Sequence, residues 1–149
     1  DLEAKIDSAN NFIYDGKHII NLPDKTKNIF LLLTMAQREP YQNIDTKWFN
    51  YEHEGNIGKA RFVWADSSNV WNGRDSVLCD HYRLDIKLNK PSKDLYKETD
   101  YFMRNIFTDN VTRELWISKS RPRQIILVSF KNSLFPFPLL AKLKESSIR

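Results

Sequence analysis

The chain has 149 residues, with 23 Lys and Arg against 19 Asp and Glu, a 41% hydrophobic share and 13% aromatics. That balance excludes a disordered chain, and one Cys with four Gly excludes a disulfide scaffold and glycine-rich repeats. No apolar run approaches the roughly 20 residues that a membrane helix needs, so no membrane contact is expected.

A chain of this length is expected to form one domain, residues 1–149. It begins at Asp1 and shows no basic stretch leading into an apolar one, so it reads as a segment of a longer protein without a secretory signal. A single thiol, Cys79, suits a reducing compartment. The expected location is intracellular: the nucleus for a eukaryotic source, otherwise the cytoplasm.

Residues 1–13 place Leu2, Ile6 and Ala9 on one side of a short first helix. Pro23-Asp24, followed by Ile29, Leu32, Leu33 and Ala36, predicts a helix of about 14 residues, stopped by Pro40. The stretch 41–56 carries Trp48, Phe49 and Tyr51 and has no clear period. Lys59 to Asp66 alternates, with Ala60, Phe62 and Trp64 on one face and Lys59 and Arg61 on the other, which predicts a strand. Asp66 to Arg74 reads as a loop bearing Trp71. A second strand puts Tyr82, Leu84, Ile86 and Leu88 inward. Val77 and Cys79 have the opposite parity, which suggests a bulge near Asp80.

Ser92 then caps a helix whose apolar stripe runs from Leu95 to Phe107. Arg113 to Lys119 alternates again, and Ser120-Arg121-Pro122 links it as a hairpin to the apolar run Ile125–Val128, read as a central strand. Pro136 and Pro138 lead into a short last helix with Leu139, Leu140 and Leu143. The order α-β-β-α-β-β-α predicts an α+β domain, with helices packed on an antiparallel or mixed sheet.

The charge is unevenly placed. Residues 113–149 hold eight basic and two acidic residues, +6, leaving 15 basic and 17 acidic, −2, for the rest. The densest point is Lys119-Ser120-Arg121-Pro122-Arg123, flanked by Trp116 and Lys131. Three cations on one turn suit contacts to phosphate or acidic groups, and a neighbouring Trp offers a stacking surface.

Asp85-Ile86-Lys87 is a candidate catalytic pattern. On a strand, Asp85 and Lys87 share a face, and a second carboxylate would come from Asp66, Asp75 or Asp80. This spacing resembles the PD-(D/E)xK nuclease superfamily, although no proline precedes the first acid. The resemblance implies a metal held by the carboxylates and a Lys beside the attacking water. Glu52-His53-Glu54, Cys79 and His81 carry metal-ligating atoms in no zinc spacing, so no metal or other cofactor is expected. Cys79 and His81, two apart on a strand, are a candidate nucleophile and base.

The leading expectation is a non-catalytic binding module of a larger intracellular protein. It would contact protein partners, within a nucleic-acid or chromatin assembly, through Lys119, Arg121, Arg123, Trp116 and Lys131. Direct DNA or RNA binding is the first alternative and the nuclease the second.

Overall fold

The computed structural model describes residues 4–9, 11–14, 18–89, 111–132 and 137–142. Among them, strands dominate, and the expected α+β order with three helices is replaced by nine strands and two helices.

The first departure is at the N-terminus. Where a helix was expected, β1 (Ala4–Ile6), β2 (Asn11–Tyr14) and β3 (His18–Asn21) form an antiparallel three-stranded sheet. Asp7 is the physical reason: its carboxylate accepts from Ala9 N–H and Asn11 N–H, both at 2.9 Å. A side chain that captures nearby backbone donors favours a turn over a helix. The Tyr14 hydroxyl donates to buried Glu52 and ties this sheet to the next one.

Helix α1 (Ile29–Arg38) starts later than Pro23-Asp24 suggested. Residues 23–26 turn instead, and Lys27 makes a bridge to Tyr51. Asn28 then caps the helix, accepting from Leu31 N–H at 2.9 Å. Pro40 stops it as expected, with Glu39 in extended backbone. A single turn, α2 (Tyr41–Ile44), follows.

The main sheet is a six-stranded antiparallel meander in chain order: β4 (Phe49–His53), β5 (Asn56–Trp71), β6 (Ser76–Leu88), β7 (Val111–Ser118), β8 (Ile125–Asn132) and β9 (Leu139–Lys142). The two-residue turn into β5 has positive φ at both Glu54 and Gly55, the geometry that matches strand twist. One face packs under the helices. Tyr51, Ala60, Phe62, Tyr82, Leu84, Ile86, Leu115 and Ile117 meet Leu32, Ala36 and Ile44 there.

Three further expectations change. Asp66 to Trp71 is strand, because β6 supplies a backbone ladder that polar side chains do not prevent. The register break lies on the partner strand β5, between Trp64 and Asp66 and across from Tyr82 and His81, and not within β6 itself; Asp45 Oδ1 accepts from Trp64 N–H there at 2.9 Å. The parity of Val77 and Cys79 is that of the opposite face, where Val70, Cys79 and Ile126 form a second small core. The expected last helix is β9, paired along β8 from Leu127↔Lys142 to Phe130↔Leu139. Tertiary pairing overrides local preference there. The helix expected after Ser92 lies outside the described residues.

Gly58 shows how close β5 and β6 run. A Cβ there would meet the Lys87 carbonyl oxygen at 2.3 Å and Leu88 Cα at 2.8 Å, both backbone atoms. Gly58→Ala is therefore expected to destabilise the protein by about 1–3 kcal/mol in urea unfolding, as overpacking does. Unchanged stability would contradict this strand spacing.

Candidate functional site

The loop between β7 and β8 is held from inside. Ser118 N–H donates to Gln124 O at 2.9 Å, and Gln124 N–H donates to Ser118 Oγ at 2.8 Å. Lys119 N–H donates to Leu78 O at 3.0 Å, which pins the turn to β6.

Arg123 points inward, its side chain only 13% exposed. Its guanidinium donates to Asp80 Oδ2 at 2.8 Å, to Glu39 O at 2.7 Å and to the Tyr82 hydroxyl at 3.3 Å. Its Nε donates to Ser118 O at 3.2 Å. Glu39 is the C-cap of α1, so Arg123 supplies a donor to an orphan helix carbonyl and places a cation at the negative end of the helix dipole. Asp80 is buried, and Lys119 Nζ stands 3.4 Å from its other oxygen. Burial raises the Tyr82 hydroxyl pKa, and the hydrogen bond from Arg123 partly opposes that shift.

These groups form the floor of an open groove of about 940 Å³. One wall is the end of α1 with Pro40 and Tyr41, and the other is Lys119, Arg121 and Pro122. Tyr41 is braced by stacking on Trp64, centroids 4.9 Å apart. The lining carries four cations, Arg38, Lys119, Arg121 and Arg123, against Asp80 alone, a net +3. Arg38 and Arg121 are exposed and have no ion pair or hydrogen bond among the described residues.

The structure thus joins Lys119, Arg121 and Arg123, with Arg123 at the groove floor, its guanidinium engaged by Asp80, Tyr82 and two backbone carbonyls. Trp116 is on the opposite sheet face, stacked on His81 with centroids 4.3 Å apart. Lys131 is exposed near the far end of β8, opposite Thr112. Nothing in the residue pattern points to Arg38, Pro40 or Tyr41, which reach the groove only through the packing of α1 and α2.

The nuclease residues do not converge. Asp80 lies on the helix-covered face and Asp85 on the other. Asp66 faces His81 at 3.4 Å, and Asp75 sits in the exposed β5–β6 turn beside Arg74. Arg61 donates to Asp85 Oδ2 at 2.9 Å, and Arg83 donates to Oδ1 at 2.8 Å and Oδ2 at 3.2 Å. Partial burial raises the Asp85 carboxyl pKa, but these hydrogen bonds and the two charges outweigh it, and the net direction is down. Asp85 is an ionised carboxylate fully occupied by arginines. No group of three His, Cys, Asp or Glu among the described residues is placed to hold a metal ion.

His81 lies between Asp66 Oδ1 and Glu114 Oε1, each at 3.4 Å. Cys79, its neighbour on the same face, is fully buried, and its thiol contacts Val77 O at 3.4 Å. Burial, helped by Asp80, pushes the thiol pKa up to about 11.

A second basic cluster lies on this opposite face. Lys59 and Lys87 are directly opposed across β5 and β6, and Arg61 and Lys87 stand over the Trp48 ring at 4.6 and 5.5 Å. The period-two alternation of Lys59/Arg61 and Arg83/Asp85/Lys87 held the signal, since it sets them all on one face.

No family model, curated protein or solved structure matches the chain.

The Cys79 environment gives a direct test. A thiolate is the reactive form, so a pKa near 11 in place of about 8.5 predicts modification by a disulfide reagent at pH 8 on the order of 100-fold slower than for a free thiol. Unfolding in urea should restore the ordinary rate. Rapid native modification would show an accessible, activated cysteine instead.

Proposed function

We propose that the chain is a non-catalytic binding module whose groove between α1–α2 and the β7–β8 turn takes an acidic segment of a protein partner. The observation that carries this reading is the composition of the groove wall. Arg38 and Arg121 offer unpaired cations at the rim, while Pro40, Tyr41 and Pro122 offer apolar surface between them. A purely phosphate-binding surface has little use for two prolines. A peptide that alternates carboxylates with apolar side chains uses both wall types, and Tyr and Arg are the residues that dominate such contacts.

Support also comes from preorganisation. Arg123 and Asp80 fix the floor, and Ser118 and Gln124 fix the turn, so little ordering cost falls on the protein when a ligand enters. Setting this exchange within a nucleic-acid or chromatin assembly is part of the proposal and rests on the net positive charge of the residues from 113 onward.

The test uses fluorescein-labelled peptides of about 12 residues that alternate Glu with Leu or Phe, followed by anisotropy. Arg38→Glu plus Arg121→Glu is expected to weaken binding at least tenfold, about 1.4 kcal/mol, while lowering folding stability by only about 1 kcal/mol, because both side chains are exposed and Arg38 lies in the last turn of α1. Tyr41→Ala should weaken it as well. Equal affinity for the double variant and the parent, or no binding by any such peptide at millimolar concentration, would overturn the reading.

A further inference from the structure

The cluster on the opposite face cannot serve the groove, because the sheet itself separates them. Its organisation is unusual for a face that only needs to be wet. Lys59 and Lys87 are direct cross-strand partners, and both are exposed. Like charges placed directly opposite each other destabilise a sheet. Asp85 relieves none of this lysine pairing, since Arg61 and Arg83 already occupy both its oxygens. Four cations, Lys59, Arg61, Arg83 and Lys87, face Asp85 and, across from Arg83 on β7, Glu114, a net +2. Glu114 on β7, paired across from Arg83, and Asp66 further along β5 mark the acidic edge of the patch.

The cations are also held in place. The Arg61 guanidinium and the Lys87 ammonium lie over the Trp48 ring, and Trp48 is itself 39% exposed. Cation–aromatic contacts restrict long side chains before a ligand arrives. Along each strand, residues two apart repeat every ~7 Å on this face, as Lys59 and Arg61 do. That repeat is of the order of the spacing between successive phosphates on one nucleic-acid strand. A row of fixed cations beside an exposed indole is the arrangement that single-stranded nucleic acids use, with backbone on the charges and a base against the aromatic ring.

We infer that the Trp48 face of β5 and β6 is a binding surface for single-stranded nucleic acid, distinct from the peptide groove. Phosphates would take Lys59, Lys87 and Arg83, and a base would pack on the exposed part of Trp48. Contacts are to backbone and ring faces, so sequence preference is weak and salt dependence strong.

The probe is a fluorescein-labelled oligothymidylate of about 20 nucleotides, titrated by anisotropy from about 50 mM salt upward. The parent chain is expected to bind, with affinity falling linearly in log–log form as salt rises. Lys59→Gln plus Lys87→Gln should lower affinity at least tenfold and reduce the salt slope by about 1.4, two contacts at roughly 0.7 each. The same double variant should melt at an equal or higher temperature, because it removes a like-charge pair, so loss of binding is separable from loss of fold. Trp48→Ala should weaken binding without changing the salt slope, and Arg38→Glu plus Arg121→Glu should leave it unchanged. Four results would overturn the inference: no binding at low salt, equal binding by the Lys59 and Lys87 variant, equally tight binding of a duplex of the same length, or binding of anionic lipid vesicles with the same dependence on these lysines. Failure here leaves the groove reading standing, since the two use different residues on opposite faces.

Discussion

Arg123 is the constraint on which the rest of the main sheet's helix side depends. One guanidinium joins the end of α1 through Glu39 O, strand β6 through Asp80 and Tyr82, and the end of β7 through Ser118 O. An exposed ion pair contributes little, but this one is largely buried, and the guanidinium makes four hydrogen bonds. Without Arg123, Asp80 would keep only Lys119 at 3.4 Å, and the α1 C-cap carbonyl would lose its donor. Stripping one partner from a buried pair costs about 3–5 kcal/mol. Arginine suits the position because its planar fork reaches several acceptors in fixed directions.

From that brace the two charged surfaces follow by geometry alone. The sheet has period two, so residues of one parity go under the helices and those of the other go to the opposite face. Asp80 and Asp85 differ in parity and end on different faces with different arginines. The groove exists because α1 stops at Pro40 just where Arg123 can reach its last carbonyl. The Trp48 patch exists because Lys59, Arg61, Arg83, Asp85 and Lys87 share the other parity. The mild net charge of +4 conceals both.

Much of the sheet was legible in the amino-acid pattern. The alternations around Phe62, Leu84 and Leu115, the stop at Pro40 and the turn at Ser120-Arg121-Pro122 all correspond to what is observed. The failures have local causes. Leu2, Ile6 and Ala9 mimic a helical stripe, but Asp7 diverts the backbone into a turn. Ser67, Ser68 and Asn69 look like a loop, but they pair with β6. Leu139 and Leu140 look helical, but β8 recruits them as its partner strand. In the first case a side chain two and four residues away captured the backbone donors, and in the other two a partner strand elsewhere in the sequence decided the outcome. The candidate site was half visible: the basic turn stood out, while the inward role of Arg123 and the contributions of Arg38 and Tyr41 needed the tertiary packing.

Arg123 braces the fold by tying the end of α1 to β6 and to the end of β7. A double-mutant cycle in urea unfolding tests it with Arg123→Ala, Asp80→Ala and the pair together. The account predicts that each single change destabilises strongly and that the two couple by on the order of 2 kcal/mol. Singles that leave stability unchanged, or effects that add to within about 0.5 kcal/mol, would contradict it.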